Sequence, residues 1–305
     1  MPLEVRMEGC GNTFVVVDKL GKELGENREA RQQYATESAR RNWDENFVAD
    51  GFLFVLPGKN AAENDNKNNY DLEMEYYDID RTKVEAVLEN MCGNGIRCFS
   101  RYGFDNITRK KEMRVMTGDG IKEVSVDGNQ VRVNMGPARD FTKISDNSYL
   151  VNTSLAHIVN IYDETELDSH KDLELAKKLG RKTRYDAELG AKLCYPDGFQ
   201  VNFVNITGPQ EAKVVTYEKG VEDLTLACGT GCTAVGYVLA QARGLQYPII
   251  VKNRGGNVKI DFENNNLFLI GPADYVIDNN TNNKKIDLIP EPIRGRIFDH
   301  IMFVD

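Results

Sequence analysis

No apolar run in these 305 residues approaches the roughly 20 that a membrane helix needs, and the N-terminus lacks the basic start and apolar stretch of a signal peptide. A cytoplasmic protein is the expectation, with no membrane partner. Lys and Arg form no dense block and the net charge is −9, so a nucleic-acid partner is not expected either. The six cysteines lack the paired C-x2-C spacing of structural zinc and only three histidines occur, so no metal is expected. Without an export signal, the cysteines are expected as reduced thiols rather than a disulfide framework. A G-x4-G-K-[ST] phosphate loop is also missing.

The length suits two domains of about 150 residues. Thr13 to Asp18, an apolar and β-branched run, predicts a strand entered through a glycine turn, with Asn12 at its mouth. Residues 19 to 47 predict a solvent-facing helix, and Phe52 to Leu56 a strand ended by Pro57-Gly58. The Asn-rich segments Asn60 to Asn69 and Asn279 to Asn283 predict exposed loops.

An internal repeat organises the chain. MCGNGIRC at 91–98 and ACGTGCTA at 227–234 are each a Cys-Gly-x-Gly turn opening a helix, and each is followed by a strand closing on Gly-Pro-Ala. From Cys92 to Gly136 is 44 residues, and from Cys228 to Gly271 is 43. The near-equal spacing argues for two copies of one α/β unit.

Two such cysteines make a specific chemistry available. Inverting an amino-acid Cα needs a base on one face and an acid on the other, and two thiols can fill both roles. A cysteine opening a helix lies at the positive end of the helix dipole, which predicts a lowered pKa. The flanking glycines let backbone N–H groups approach an anion such as the substrate carboxylate. Cys98 and Cys232, inside the predicted helices, read as packing residues. Cys10 could line the site, with a structural role favoured, and Cys194 has no chemical partner nearby in sequence.

The two turns resemble the signature turns of the diaminopimelate epimerase family. GCGNTFVVVD at 9–18, ADGFLFVL at 49–56 and YEKG at 217–220 extend the resemblance over roughly residues 1 to 275. It implies an α/β (α+β) protein of two pseudo-symmetric domains, each a bent, mostly antiparallel sheet around a central helix, with the site in the cleft between them. The first domain would span 1–140 with a C-terminal return over about 275–305, and the second 141–274. The resemblance also implies epimerisation of LL- to meso-diaminopimelate without pyridoxal phosphate or any other cofactor. Cys92 and Cys228 would be the acid/base pair. Backbone N–H groups of Gly93, Asn94, Gly229 and Thr230 would hold the α-carboxylate, with Asn12 and Glu218 facing polar groups of the substrate. His157 would lie beside a cysteine or serve as a hydrogen-bonded structural residue.

Four positions depart from the family pattern, all at the end that would grip the far part of the substrate: Asp78 and Leu155 stand for Asn, Gln200 for Asn, and Lys219 for Arg. Lysine keeps the charge and loses the two-pronged grip on a carboxylate, while Asp78 adds a repelling negative charge. Racemisation of a different amino acid by the same two thiols is therefore an alternative, as is a ligand-binding protein without activity. A proline racemase-like enzyme is disfavoured by the Asn in Cys-Gly-Asn-Gly. A small amino acid is the expected partner in each enzymatic reading, with the oligomeric state open and a homodimer among the options.

Overall fold

The computed structural model describes residues 2–42, 49–59, 68–81, 83–162 and 170–276. The expected loops over 60–67 and 279–283 and the expected C-terminal return beyond 276 lie outside these residues. The first unit begins with β1 (Leu3–Gly9) and β2 (Asn12–Asp18), then the helices α1 (Lys22–Glu26) and α2 (Arg28–Asn42). It continues with β3 (Gly51–Lys59), β4 (Tyr70–Asp80), β5 (Glu85–Glu89) and the helix α3 (Gly93–Gly103). The strands β6 (Glu112–Thr117), β7 (Gly120–Asp127), β8 (Gln130–Gly136) and β9 (Arg139–Ser145) follow.

The second unit repeats this order. It comprises β10 (Ser148–Asn152), β11 (Ala156–Ile161), α4 (His170–Arg184), α5 (Ala187–Lys192), β12 (Gln200–Gly208), β13 (Glu211–Glu218), β14 (Asp223–Thr225) and α6 (Gly229–Arg243). It closes with β15 (Ile249–Asn253), β16 (Gly256–Glu263), β17 (Asn266–Pro272) and β18 (Asp274–Tyr275).

Strand pairing shows the duplication more strictly than the motifs do. In the first unit β1–β2 is antiparallel, β2–β3 parallel, β3–β4 and β4–β5 antiparallel, β4–β6 parallel, and β6–β7–β8 antiparallel. The second unit runs through the same sequence of pairings from β10 to β17. The units join where β8 pairs antiparallel with β17. β9 leaves the first unit to pair with β10, and β18 returns to pair with β1. A boundary drawn at residue 140 falls within β9.

Each unit wraps its sheet around one helix. Ten of the eleven residues of α3 are buried, among them Ile96, Phe99 and Tyr102, and burying each such side chain stabilises the fold by about 1.5–3 kcal/mol. In α6, Val235, Val238 and Leu239 play the same part. Cys98 and Cys232 are buried in these two helices, as packing residues would be.

Two local expectations are corrected. The segment after β2 forms two helices rather than one, and α2 turns a charged face inward: Arg31 and Glu75, each 5% exposed, are joined by Nε–Oε1 and Nη2–Oε2 contacts of 2.8 and 2.9 Å. The inward face of α2 combines Arg31 with the small residues Ala35, Ser38 and Ala39, so it carries no stripe of large apolar side chains. Pro57-Gly58 also does not end β3, which continues to Lys59. The pairing of β3 with β2 stops at Phe54, so at Pro57 only β4 is alongside and a residue without an N–H is tolerated.

Candidate active site

Cys92 and Cys228 are the N-cap residues of α3 and α6, both in extended backbone conformation. The Cys92 Sγ accepts a hydrogen bond from the Gly95 N–H at 3.4 Å, and the Cys228 Sγ lies 3.5 Å from the Thr230 hydroxyl. The two helices meet end to end. A Cβ added to Gly93 would lie 3.0 Å from the Gly229 Cα, and one added to Gly229 would lie 2.9 Å from the Gly93 Cα. Only glycine at both positions allows this approach, which explains why the residue after each cysteine is glycine. The first turns of the two helices, where N–H groups lack intrahelical backbone partners, are thereby brought together.

Side chains lock the two turns to each other. Asn94 donates from Nδ2 to the Asn12 Oδ1 at 2.6 Å and to the carbonyl of Ala227, the residue before the second cysteine, at 3.0 Å. Arg97, fully buried, holds Asn94 Oδ1 at 3.0 Å and also donates to the carbonyls of Gly93 and Pro272 and to the Cys10 Sγ. In the second turn, the Thr153 hydroxyl donates to the Thr230 carbonyl at 2.9 Å. Cys10 thus packs against the guanidinium that braces the first turn.

The electrostatics reverse one expectation. Cys92 is partly accessible and Cys228 is 4% exposed, and at both the loss of solvent outweighs the nearby N–H groups. Burial pushes the Cys92 thiol up to about 12 and raises Cys228 well above its ordinary value, with the Glu218 carboxylate raising both. The helix dipole acts on each sulfur, but the enclosure around it acts more strongly. At both sulfurs the enclosure disfavours the thiolate.

Glu218 lies against the second of these cysteines. It ends β13 beside Cys228 and Thr225, and burial pushes its carboxyl up to about 7. The same enclosure that disfavours the thiolates raises this carboxyl.

His157 is fully buried and pushed down to about 3 by desolvation, so its ring is neutral. Asn202 fixes the ring, its Nδ2 lying 3.2 Å from Nδ1 and donating to the Ile158 carbonyl while its Oδ1 accepts from Thr216. With an amide donor at Nδ1, the histidine proton sits on Nε2, a buried atom without a hydrogen-bond partner among the described residues. Asn202 Oδ1 in turn lies 2.6 Å from where a Gly231 side chain would begin, tying the histidine to the first turn of α6.

The four departures from the family pattern have defined places. Gln200, 4% exposed, accepts the Lys219 backbone N–H at 2.6 Å. Asp78 accepts from the Tyr76 hydroxyl at 2.7 Å, and Leu155 is 44% exposed in the turn between β10 and β11. Lys219 is exposed and its charge acts on Glu89. Residues missed by sequence reasoning include Asn202, Thr153, Tyr76, Asp50 and Arg97. Asn202 was the most findable, since it lies two residues beyond Gln200 and so on the same face of β12.

A duplicated mixed sheet wrapped around two central helices is a fold shared with solved structures. The phenazine biosynthesis protein of the PhzF family from Bacillus anthracis superposes with a TM-score of 0.61 at 13% identity, covering 91% of this chain and 98% of that one. A hydroxyproline epimerase from Agrobacterium vitis superposes with a TM-score of 0.57 at 12% identity, covering 90% and 88%. The diaminopimelate epimerase family model matches residues 5–140 and 149–276. The chain belongs to the diaminopimelate epimerase family and is an isomerase. Diaminopimelate epimerases of Archaeoglobus fulgidus and Campylobacter jejuni are each 31% identical to it, over 90% and 89% of this chain and 94% and 96% of their own. No helix among the described residues is long and apolar enough to cross a membrane.

Proposed function

We propose that this protein inverts the Cα of an amino acid without a cofactor, and that LL-diaminopimelate, converted to the meso form, is the leading substrate. The observation that carries this reading is the contact between Gly93 and Gly229, which makes neighbours of two helix N-termini, each capped by a cysteine. In the reaction, Glu218 takes the proton of Cys228 and the resulting thiolate removes the Cα proton. The C–H electron pair passes into the carboxylate, where the N–H groups of Gly93, Asn94, Gly229 and Thr230 stabilise the added charge. The Cys92 thiol then gives its proton to the opposite face, restoring a C–H bond of inverted configuration. The enzyme is left with a Cys92 thiolate and is ready for the reverse direction. A substrate ammonium entering the enclosure favours thiolate over thiol, offsetting the burial that raises both sulfurs. We place the protein in the cytoplasm, where thiols stay reduced. Incubation with LL-diaminopimelate under reducing conditions should yield the meso isomer, and failure to do so would reject this substrate.

Two outcomes follow from the site's chemistry. With the Glu218 carboxyl at about 7, kcat/KM should fall about tenfold per unit as pH drops below 7, because the carboxylate is then protonated and cannot accept from Cys228. Glu218→Gln should cost at least about a hundredfold and flatten that limb of the profile. A Glu218→Gln enzyme with an unchanged acid limb would show that another group sets it.

Mild oxidation should inactivate the enzyme, and dithiothreitol should restore it, through a bond between Cys92 and Cys228. The experiment belongs in a Cys194→Ser background, since Cys194 is the exposed cysteine and would react first. Peptide mapping that finds no 92–228 linkage in inactivated enzyme would contradict the closeness of the two sulfurs.

A further inference from the structure

Four hairpin turns form two routes from one cysteine to the other, related by the duplication. In each unit the first turn, residues 9–12 between β1 and β2 or 152–156 between β10 and β11, holds the opening of that unit's helix. Asn12 accepts from Asn94, and Thr153 donates to the Thr230 carbonyl. A later turn, residues 117–120 between β6 and β7 or 253–256 between β15 and β16, braces the residue two positions before that unit's cysteine. A Cβ added to Gly118 would lie 2.7 Å from the Asn90 Cα, so only glycine lets this turn approach, and the Gly255 N–H donates to the Leu226 carbonyl at 2.9 Å.

Each later turn also meets the first turn of the other unit, and there the two routes differ. On one route backbone meets backbone: a Cβ added to Gly255 would run into the Cys10 carbonyl, and one added to Gly11 would lie 3.1 Å from the Gly255 Cα. On the other the link is made by side chains, the Ser154 Oγ donating to the Asp119 Oδ2 at 2.8 Å. The buried Lys122 donates to the same oxygen at 2.7 Å and holds the carboxylate in place. Ser154 has φ at +78°, a left-handed conformation that favours glycine, so its hydroxyl is kept against the preference of the backbone. Backbones in contact leave no slack, whereas a side-chain bond can lengthen with both backbones intact.

We propose that Asp119 and Ser154 are positioning residues for the reaction. Their bond completes the route from Asn90 through Gly118, Asp119, Ser154 and Thr153 to Thr230, and so fixes the separation of Cys92 and Cys228 on the side where no backbone contact does. This rests on the two-thiol reading above and adds to it a pair that acts through the cysteines. A bond between the units that contributed stability alone would leave the placement of the sulfurs to the glycine contacts.

The test joins kinetics to a readout of sulfur separation that needs no turnover. Ser154→Gly removes the hydroxyl, suits the backbone and leaves Asp119 with Lys122, so the melting midpoint should stay within about 3 °C of the wild type. Its kcat on LL-diaminopimelate should nevertheless fall at least about tenfold, because the rate depends on sub-ångström placement of the reacting groups. Asp119→Ala, added to Ser154→Gly, should cost less than about twofold more, since the two residues act through one bond. In a Cys194→Ser background, Ser154→Gly should slow formation of the Cys92–Cys228 disulfide by diamide at least about tenfold. A loss of less than about tenfold in kcat or in linkage rate, or a second full loss on adding Asp119→Ala, would overturn the assignment and leave the epimerase reading in place. A wild-type protein without turnover would overturn the diaminopimelate reading, and the linkage rate alone would then decide for or against the pair.

Discussion

Alanine at either Cys92 or Cys228 should lower kcat for epimerisation by about a thousandfold or more. General acid or base catalysis by one positioned group is worth about 10²–10⁴ in rate, and here each face of the carbon depends on its own sulfur. Because the two act as a unit, the double variant should be little worse than either single one. Folding should survive both changes. Each cysteine occupies an N-cap position, but only Cys92 caps with its side chain, a sulfur contact of 3.4 Å with the Gly95 N–H whose loss costs about 1 kcal/mol or less. Circular dichroism and thermal melting beside the kinetics separate the two effects. A Cys92→Ala enzyme with more than about a tenth of the wild-type kcat would require another proton carrier on that face.

Gly229→Ala should be nearly as damaging to activity, although the residue carries no chemistry. Its Cβ would come within 2.9 Å of the Gly93 Cα and 3.1 Å of the Leu269 side chain, so the backbone of α3 must move. Overpacking of this kind costs about 1–3 kcal/mol of stability. The displacement acts on both capping cysteines at once, and a shift of about 1 Å in a reacting group can cost about a hundredfold in rate. Gly93→Ala should behave alike, since its Cβ meets the Gly229 Cα at 3.0 Å. A soluble Gly229→Ala enzyme with full activity would show that close contact of the helix ends is not what sets the sulfur positions.

These two effects also show what could be read from the chain alone. The repeated Cys-Gly-x-Gly turns and the matching Gly-Pro-Ala strand ends were legible because they are local and occur twice; the buried helices opened by Cys92 and Cys228 and the packing roles of Cys98 and Cys232 followed from them. What escaped depends on groups distant in sequence. Arg31 meets Glu75 across 44 positions, so the one charged residue on the inward face of α2 reads locally as solvent-facing. Asn94 reaches Ala227 across 133 positions, and no local pattern announces that bond between the two turns. The thiol acidities were misjudged for the same reason: the helix dipole is encoded next to each cysteine, but the enclosure that raises both thiols is assembled from Glu218, Asp78 and the strands around them.

The most direct measurement is the isotopic fate of the Cα proton during conversion of LL-diaminopimelate in D2O, followed from the first turnovers. Thiols on opposite faces predict that the inverted product carries deuterium at Cα from the outset while unreacted substrate keeps its protium, because the proton removed by one sulfur is not the one delivered by the other. Early product that retains the original proton would mean that a single group carries it from face to face, and would contradict the assignment of Cys92 and Cys228 to opposite sides of one carbon.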